Sequence, residues 1–438
     1  MSSKIYINKT IKPFKKKIKI EGDKSISIRW ALLASQAKGR SKAYNLLKSE
    51  DVLNTLKCLK KLGVKVNLKK DTCTIDGLGL NGFKYKKNII LNSGNSGTLG
   101  RLLMGLLVHC NKTIKLIGDK SLSKRDFSRV TIPLSKFGAK IKSNYGKLPV
   151  TIKGTDNPRP IIYYEKKGSA QCKSSVMLAA LNTKGQTIIK AKNSRNHTEL
   201  MYKHLKLPIK VFDKKNYQLI KVNGKNEIQP LNYNIPSDIS SSAFFIVLTA
   251  LSKDSEINIA NVNVNKSRIG LIKILKMMGI PIMLKNQKNY KGEIIADINV
   301  KSCKLIKPIK CPTNLNSSAI DEFLVIFLVA AKANGISEFK NLNELNQKES
   351  PRLDWGSKIL NLIGIKTIIK KGTIKIYGNP NLNVNESIII KDYLKDHRVF
   401  MTCVVAALVF GGKWTIHDKD SIKTSFPSFL KIISDIKK

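Results

Sequence analysis

A chain of 438 residues, 42% hydrophobic and 25% charged, is long enough for two or three domains and has the make-up of an ordinary globular protein. Its formal charge of +49 raises a nucleic-acid partner, yet the lysines are spread along the whole chain and no RNP-like, Cys/His or basic-helix motif goes with them, so most read as solvated surface. Seven cysteines, at 58, 73, 110, 172, 303, 311 and 403, are odd in number and never spaced Cys-x-x-Cys, which argues against a disulfide framework or a zinc site.

From the start, Met1 to Lys19 intersperses lysine with single apolar residues and has no apolar core of a signal peptide. Gly22-Asp23-Lys24-Ser25-Ile26-Ser27-Ile28-Arg29 then leads a helix from Trp30 to Gln36. Lys24 and Arg29 are spaced to converge on one anion at a helix N-terminus, with Ser25 as cap or ligand. A short strand follows, and Ser49-Glu50-Asp51 caps a second helix running to Gly63. Next, an apolar strand (88–91) empties into Gly94-Asn95-Ser96-Gly97-Thr98, and an apolar helix runs from Leu99 to Val108. Such a loop offers free backbone N–H groups to an anion. Thr98 or Ser96 caps the helix, and Arg101 adds a fixed fork for phosphate or carboxylate.

The same order of parts then returns. Ser169-Ala170-Gln171-Cys172-Lys173-Ser174 opens an apolar helix (175–181), and Ser194-Arg195-Asn196-His197-Thr198-Glu199 starts its companion. Ser237 to Ser242 opens 243–251. Asp321-Glu322 opens 323–333, and Lys348-Glu349-Ser350 precedes a helix ending at Ile363-Gly364. Asp396-His397-Arg398 opens 399–409, and Ser425-Phe426-Pro427 starts the terminal helix. The longest apolar run, Phe323 to Ala331, is too short to span a bilayer. Helix heads near 25, 95, 171, 240, 321 and 396 set a period of roughly 70 to 80 residues, hence six copies of one motif.

Six strand-and-helix units suggest two domains of three units each, 21–231 and 232–438 with 1–20, broken in the polar, proline-containing stretch 223–236. Heads pointing into one cleft would make an anion-attracting chamber. Only ten of the 79 basic residues are arginine, and six of them (29, 101, 125, 195, 352 and 398) fall in polar motifs at helix starts. Where composition presses toward lysine, a retained arginine suggests a need for its planar, bidentate fork.

With these motifs the chain resembles the enolpyruvyl transferases, in particular the members acting on shikimate 3-phosphate. The resemblance spans about residues 20 to 430. It rests on Gly-Asp-Lys-Ser-x-x-x-Arg (22–29), Gly-Asn-Ser-Gly-Thr-x-x-Arg (94–101), Gly-Asp-x-Ser-Leu-x-x-Arg (118–125), Ser-Ala-Gln-x-Lys-Ser (169–174) and Ser-Arg-x-His-Thr-Glu (194–199), together with Asp-Glu-Phe (321–323), Lys-Glu-Ser-x-Arg (348–352), Asp-His-Arg (396–398) and Ser-Phe-Pro (425–427). Singly each is weak; nine in order are specific. The resemblance implies an α/β (α+β repeat) fold: a two-domain inside-out α/β barrel of six βαβαββ units, three per domain, with the active site in the cleft.

It also implies transfer of the enolpyruvyl (carboxyvinyl) group of phosphoenolpyruvate to the 5-hydroxyl of shikimate 3-phosphate, with release of phosphate, on the route to chorismate and the aromatic amino acids. By resemblance, Lys24, Ser25, Arg29, Ser169, Ala170, Gln171, Ser194, Asp321 and Lys348 hold shikimate 3-phosphate. Lys24, Asn95, Gly97, Arg125, Gln171, Arg352 and Arg398 hold phosphoenolpyruvate. Asp321 accepts the hydroxyl proton, Glu349 handles the methylene proton, and Lys24 lowers the cost of charge. No metal or organic cofactor is expected, and the reading is of a cytoplasmic monomer without a membrane or nucleic-acid partner.

Taken alone, Asp321-Glu322 reads as a helix-dipole partner and Lys348-Glu349-Ser350 as a capped turn, while His397 reads as structural and Cys110, Cys172 and Cys403 as core. Asp126, Pro351 and Phe400 depart from the family pattern, and Thr424 and Ser425 stand where some members have a lysine. Three alternatives stand beside this reading. The sister transferase acting on UDP-N-acetylglucosamine carries a reactive cysteine in a loop that here, at 111–125, has none. An RNA-terminal phosphate cyclase needs a late catalytic histidine, for which His417 is a poor candidate. The third is a non-catalytic basic binding protein.

Overall fold

The structure, a computed structural model, describes residues 3–438; Met1 and Ser2, at the start of the expected 1–20 segment, lie outside the described residues. The chain forms two compact units with separate apolar cores. The first is Gly22–Ile235 with Tyr290–Glu293, and the second is Met1–Glu21, Pro236–Asn289 and Ile294–Lys438.

Parallel neighbours in a sheet need a crossover, and here a buried helix supplies it. In the first unit, strands Ile89–Asn92 and Ile114–Ile117 run parallel around the helix Gly97–Leu107; Lys147–Lys153 and Lys140–Asn144 then add antiparallel. Ile162–Glu165, Gln186–Ala191, Gln218–Asn223 and Ile209–Asp213 repeat that order around the helix Ala170–Leu181. The third sheet takes its first strand, Tyr233–Asn234, from the far end of the unit and lays it parallel to Lys38–Tyr44, with Thr72–Leu78 and Lys65–Leu68 beyond.

In the second unit the N-terminal strand Lys15–Lys19 lies parallel to Glu256–Asn263, beside Glu293–Lys301 and Ile282–Tyr290. Strand Lys4–Ile7 closes a sheet with Gly411–His417 and Val384–Ile390, and Ile336–Phe339, Thr373–Tyr377 and Thr367–Lys370 form the third. Among the described residues there are thus six open sheets, three in each unit. Strands such as Lys147–Lys153 bury every second residue and send lysines outward, so each sheet has one wet face.

The lead helices are apolar on all sides because sheets and helices cover them. Ile239–Leu251 and Phe323–Ala331 are buried at every position. Each large aliphatic side chain buried there contributes about 1.5 to 3 kcal/mol. Their companions are amphipathic: Glu50–Lys61 turns Val52, Thr55, Leu56 and Leu59 inward, one helical face. Gly105 lies where Gly97–Leu107 meets Ala170–Leu181; a Cβ there would sit 2.2 Å from the Ser175 carbonyl oxygen. Among the described residues no helix is long and apolar enough to cross a membrane.

Five of the six lead helices start earlier than their apolar runs, while the one at Phe323 starts where its run does. Lys24, Gly97, Ala170 and Ile239 open them, in place of Trp30, Leu99, Ser175 and Ala243, and His397 opens the last in place of Val399. Polar residues fill the first turn, where N–H groups lack intrahelical partners, and a cap one residue earlier satisfies them. Asp23 accepts from Ile26 N at 2.9 Å, so Ser25 is not the cap. Ser96, and not Thr98, accepts from Leu99 N at 3.2 Å. Ser169 and Asp396 cap in the same way. Ser49 makes no such bond to its helix.

Candidate active site

In the first unit the expected residues gather at three helix heads. Lys24 Nζ lies 3.0 Å from Asp51 Oδ2, with both side chains largely buried. Arg29 bonds within the unit: Nε donates to Thr198 Oγ1 at 2.9 Å, Nη2 to Ser174 Oγ at 3.2 Å and Nη1 to the Ser25 carbonyl at 3.1 Å. It thereby ties the Lys24 head to the Ala170–Leu181 and His197–His204 helices. Beneath lies the ion pair Lys173 to Glu199 at 2.6 Å, closed to water on both sides.

Around Gly97 the parts interlock. Arg125 Nη2 donates to Asn95 Oδ1 at 3.1 Å, and Asn95 Nδ2 donates to Asp119 Oδ2 at 2.6 Å. Gln171 donates through Nε2 to Thr98 Oγ1 at 3.0 Å, while its Oε1 accepts from Arg101 Nη1 at 2.7 Å. Arg101 also stacks on Phe127 and donates to the Asp126 carbonyl. Burial lowers its pKa to about 10, which leaves it charged. A Cβ on residue 97 would come within 2.8 Å of Arg101 Nη1 and 3.2 Å of Arg125 Nη1. The carboxylate of Asp126 accepts from Ser128 N at 2.8 Å. Ser194 Oγ is buried with no hydrogen-bond partner among the described residues.

In the second unit three carboxylates surround one guanidinium. Arg352, fully buried, donates to Asp396 through Nε (2.8 Å) and Nη2 (3.2 Å), to Asp321 through Nη1 (3.3 Å) and to Glu349 through Nη2. Burial by itself would lower the Arg352 pKa; the charges of Asp396, Glu349 and Asp321 outweigh it and raise the value. Burial would likewise raise Asp396, but Arg352 holds its carboxyl below the ordinary range. Lys348 Nζ reaches Asp321 Oδ1 at 3.1 Å, and Arg398 Nη1 donates to the Asp321 carbonyl at 2.7 Å. Pro351 stands at the cap position, so Arg352 begins its helix. Phe400 is core, and Thr424 bonds the Ser421 carbonyl and faces His397.

Asp321, Lys348, Glu349, Arg352 and Arg398 thus form one cluster. Three residues that hold expected site residues in place carry no expected role of their own: Asp51, which pairs with Lys24 in the first unit, and Glu322 and Asp396, which lie beside Arg398 and Arg352 in the second. Asp396 carried a signal as the cap beside Arg398, and Glu322 one in Asp-Glu-Phe (321–323); Asp51 carried none beyond a helix start. Among the described residues no three His, Cys, Asp or Glu side chains group to hold a metal ion.

The fold is that of the enolpyruvyl transferases. The chain superposes on the enolpyruvyl transferase NikO from Streptomyces tendae with a TM-score of 0.79 over 100% of this chain and 98% of that one, and at 13% identity the likeness speaks for the fold alone. The family is narrower. The family model for EPSP synthase (3-phosphoshikimate 1-carboxyvinyltransferase) matches residues 8–433, and the chain belongs to that family. It is 41% identical over 420 residues to the 3-phosphoshikimate 1-carboxyvinyltransferase of Ruthia magnifica subsp. Calyptogena magnifica, covering 96% of this chain and 94% of that protein. An EPSP synthase structure from Acinetobacter baumannii is 33% identical, with a TM-score of 0.87 over 99% of this chain and 98% of that one.

Proposed function

We propose that this chain transfers the carboxyvinyl group of phosphoenolpyruvate to the 5-hydroxyl of shikimate 3-phosphate and releases phosphate. The observation that supports it best is the cluster in which Asp321 and Glu349 share Arg352, with Lys348 and Arg398 alongside. Two carboxylates can serve the two proton transfers that the reaction needs, and the cations beside them suit two polyanionic substrates.

In this reading the substrate hydroxyl oxygen attacks C2 of phosphoenolpyruvate while C3 gains a proton. C3 then loses a proton, the C2–O bond to phosphate breaks, and inorganic phosphate leaves with the bonding pair. Asp321 takes the hydroxyl proton, which departs with the phosphate, and Glu349, entering the cycle protonated, gives the methylene proton to C3 and recovers it when C3 is deprotonated. Both are bonded to Arg352, and a ligand anion that takes over its Nη groups releases them for this work. Arg352 and Arg398 bind phosphoenolpyruvate, as do Lys24, Asn95, Gly97, Arg125 and Gln171. Lys24, Ser25, Arg29, Ser169, Ala170, Gln171, Ser194, Asp321 and Lys348 hold shikimate 3-phosphate. The unpartnered Ser194 hydroxyl suits such a ligand oxygen.

The same proposal takes the three sheets of each unit as an inside-out α/β barrel and the enzyme as a cytoplasmic monomer without a nucleic-acid partner. Seven unbridged cysteines suit a reducing compartment. Phosphate release from saturating shikimate 3-phosphate and phosphoenolpyruvate tests the activity, and no release above background overturns it. Asp321→Ala and Glu349→Ala should each lower kcat by roughly a hundredfold or more with little change in Tm; near-normal turnover rejects the role of that residue.

A further inference from the structure

Glu322 takes no part in the proton transfers assigned to its neighbour Asp321 and to Glu349. It follows Asp321 directly, yet its side chain is wholly closed to water while that of Asp321 is 15% exposed. It stands at the head of the helix Phe323–Ala331 without capping it. Its Oε1 accepts the Ser240 hydroxyl and lies 3.9 Å from Arg398 Nη1. Its Oε2 is buried with no hydrogen-bond partner among the described residues.

Ser240 has a single hydroxyl proton. Its oxygen already accepts from Arg268 Nη2 at 2.7 Å, so that proton goes to Glu322, and Glu322 acts as an acceptor. Arg268, itself buried, also reaches Asp238 Oδ1 at 3.3 Å, and Asp238 accepts from Ser240 N at 2.7 Å to cap the helix Ile239–Leu251. The chain Asp238, Arg268, Ser240, Glu322, Arg398 therefore runs beneath three helix heads, two guanidinium groups against two carboxylates. A buried carboxylate is tolerable only against such counter-charge.

At its far end Arg398 Nη1 donates to the Asp321 carbonyl, while Nε and Nη2 have no acceptor among the described residues. At 3.9 Å the Glu322 oxygen is beyond hydrogen-bond length, so it attracts the guanidinium without using a donor. We infer that Glu322 is a positioning residue: from within the second unit it holds the Nη1 edge of Arg398 in place and leaves the Nε and Nη2 edge for the carboxylate or phosphate of phosphoenolpyruvate. The inference rests on the assignment of Arg398 to that substrate.

Steady-state kinetics of the full chain test it. Glu322→Ala should raise KM for phosphoenolpyruvate about tenfold, with KM for shikimate 3-phosphate unchanged within about twofold and kcat within about threefold. Glu322→Gln keeps the shape and the acceptor for Ser240 but not the charge, so it should fold like the wild type and show a smaller rise in the same constant. Adding Glu322→Ala to Arg398→Met should cost little beyond Arg398→Met alone. An unchanged KM for phosphoenolpyruvate in both Glu322 variants overturns the inference. So do a fall in activity that only tracks the loss of folded protein and full additivity in the double variant. Absence of turnover in the wild type overturns the activity reading and this inference with it, whereas turnover there with unmoved variants overturns the inference alone.

Discussion

Arg352 holds Asp396 through two nitrogens, Nε to Oδ2 at 2.8 Å and Nη2 to Oδ1 at 3.2 Å, and neither side chain is more than 2% exposed. Asp396 also accepts from Ser350 Oγ and from Arg398 N, so one buried carboxylate organises two arginines and a helix start. Removing it takes from a buried cation its only fully buried carboxylate and leaves it the part-exposed Asp321 and Glu349. Asp396→Ala should therefore destabilise the protein by about 3 to 5 kcal/mol in urea denaturation. Asp396→Asn keeps the cap acceptor and should lose less. Because the folded-state pKa of Asp396 is depressed, its contribution is complete above the unfolded value of 3.8 and fades as pH falls below it. The stability gap between wild type and Asp396→Asn should close over that acid range; a constant gap would show that the charge of Asp396 is not what stabilises.

His109 gives the opposite residue type the same sign. Its Nε2 lies 3.0 Å from the Ala179 carbonyl oxygen, and burial pushes the imidazole down to about 4 from 6.5 despite that bond. Between those values the unfolded chain binds a proton that the folded chain refuses. Stability is full above pH 6.5 and falls toward pH 4, by about 2 to 3 kcal/mol from this group. His109→Gln should flatten that part of a Tm-against-pH curve.

Gly97 tests the loop that carries Asn95 and Thr98. An added methyl meets the guanidinium ends of Arg101 and Arg125, with Leu122 Cδ1 in ordinary contact at 3.7 Å, so long side chains and not backbone must yield and the fold should lose no more than about 1 kcal/mol in Gly97→Ala. Displaced guanidinium groups should instead raise KM for phosphoenolpyruvate several-fold while kcat stays near the wild-type value. Equal KM values would place the loop outside that substrate's contacts.

Local chemistry made much of this legible. Asp23, Ser96, Ser169 and Asp396 sit one residue before helices and look like caps in any chain, and wholly apolar helices such as Phe323–Ala331 announce burial. Helix starts read late because polar first turns break the apolar period, as at Lys24. Partners distant in sequence left no trace: Lys24 with Asp51 and Arg101 with Gln171 meet only once the helices pack. Asp321 and Glu322 look equivalent in sequence, yet the helix start sends one to Lys348 and Arg352 and the other to Ser240. The contacts of Arg29 were equally hidden. A residue expected at a ligand is bonded to Thr198, Ser174 and the Ser25 carbonyl, bonds that chain order does not reveal.

Gln171 is fixed at both ends of its amide. Arg101 occupies its oxygen at 2.7 Å and Thr98 takes one of its two N–H groups at 3.0 Å, which leaves a single donor for a ligand. Without Arg101 the amide can rotate and present its oxygen, the wrong polarity for an anionic or hydroxyl acceptor. Arg101→Met should therefore raise substrate KM by roughly five- to tenfold, more than its effect on Tm explains. Arg101→Lys should recover part of the loss, because an ammonium can still donate to Oε1 but lacks the fork that also reaches the Asp126 carbonyl. Gln171→Glu keeps the contact with Arg101 and removes both donors, so it should be the weakest binder of the three. If Arg101→Met lowers Tm and leaves KM alone, Arg101 only supports the helix packing and does not aim Gln171.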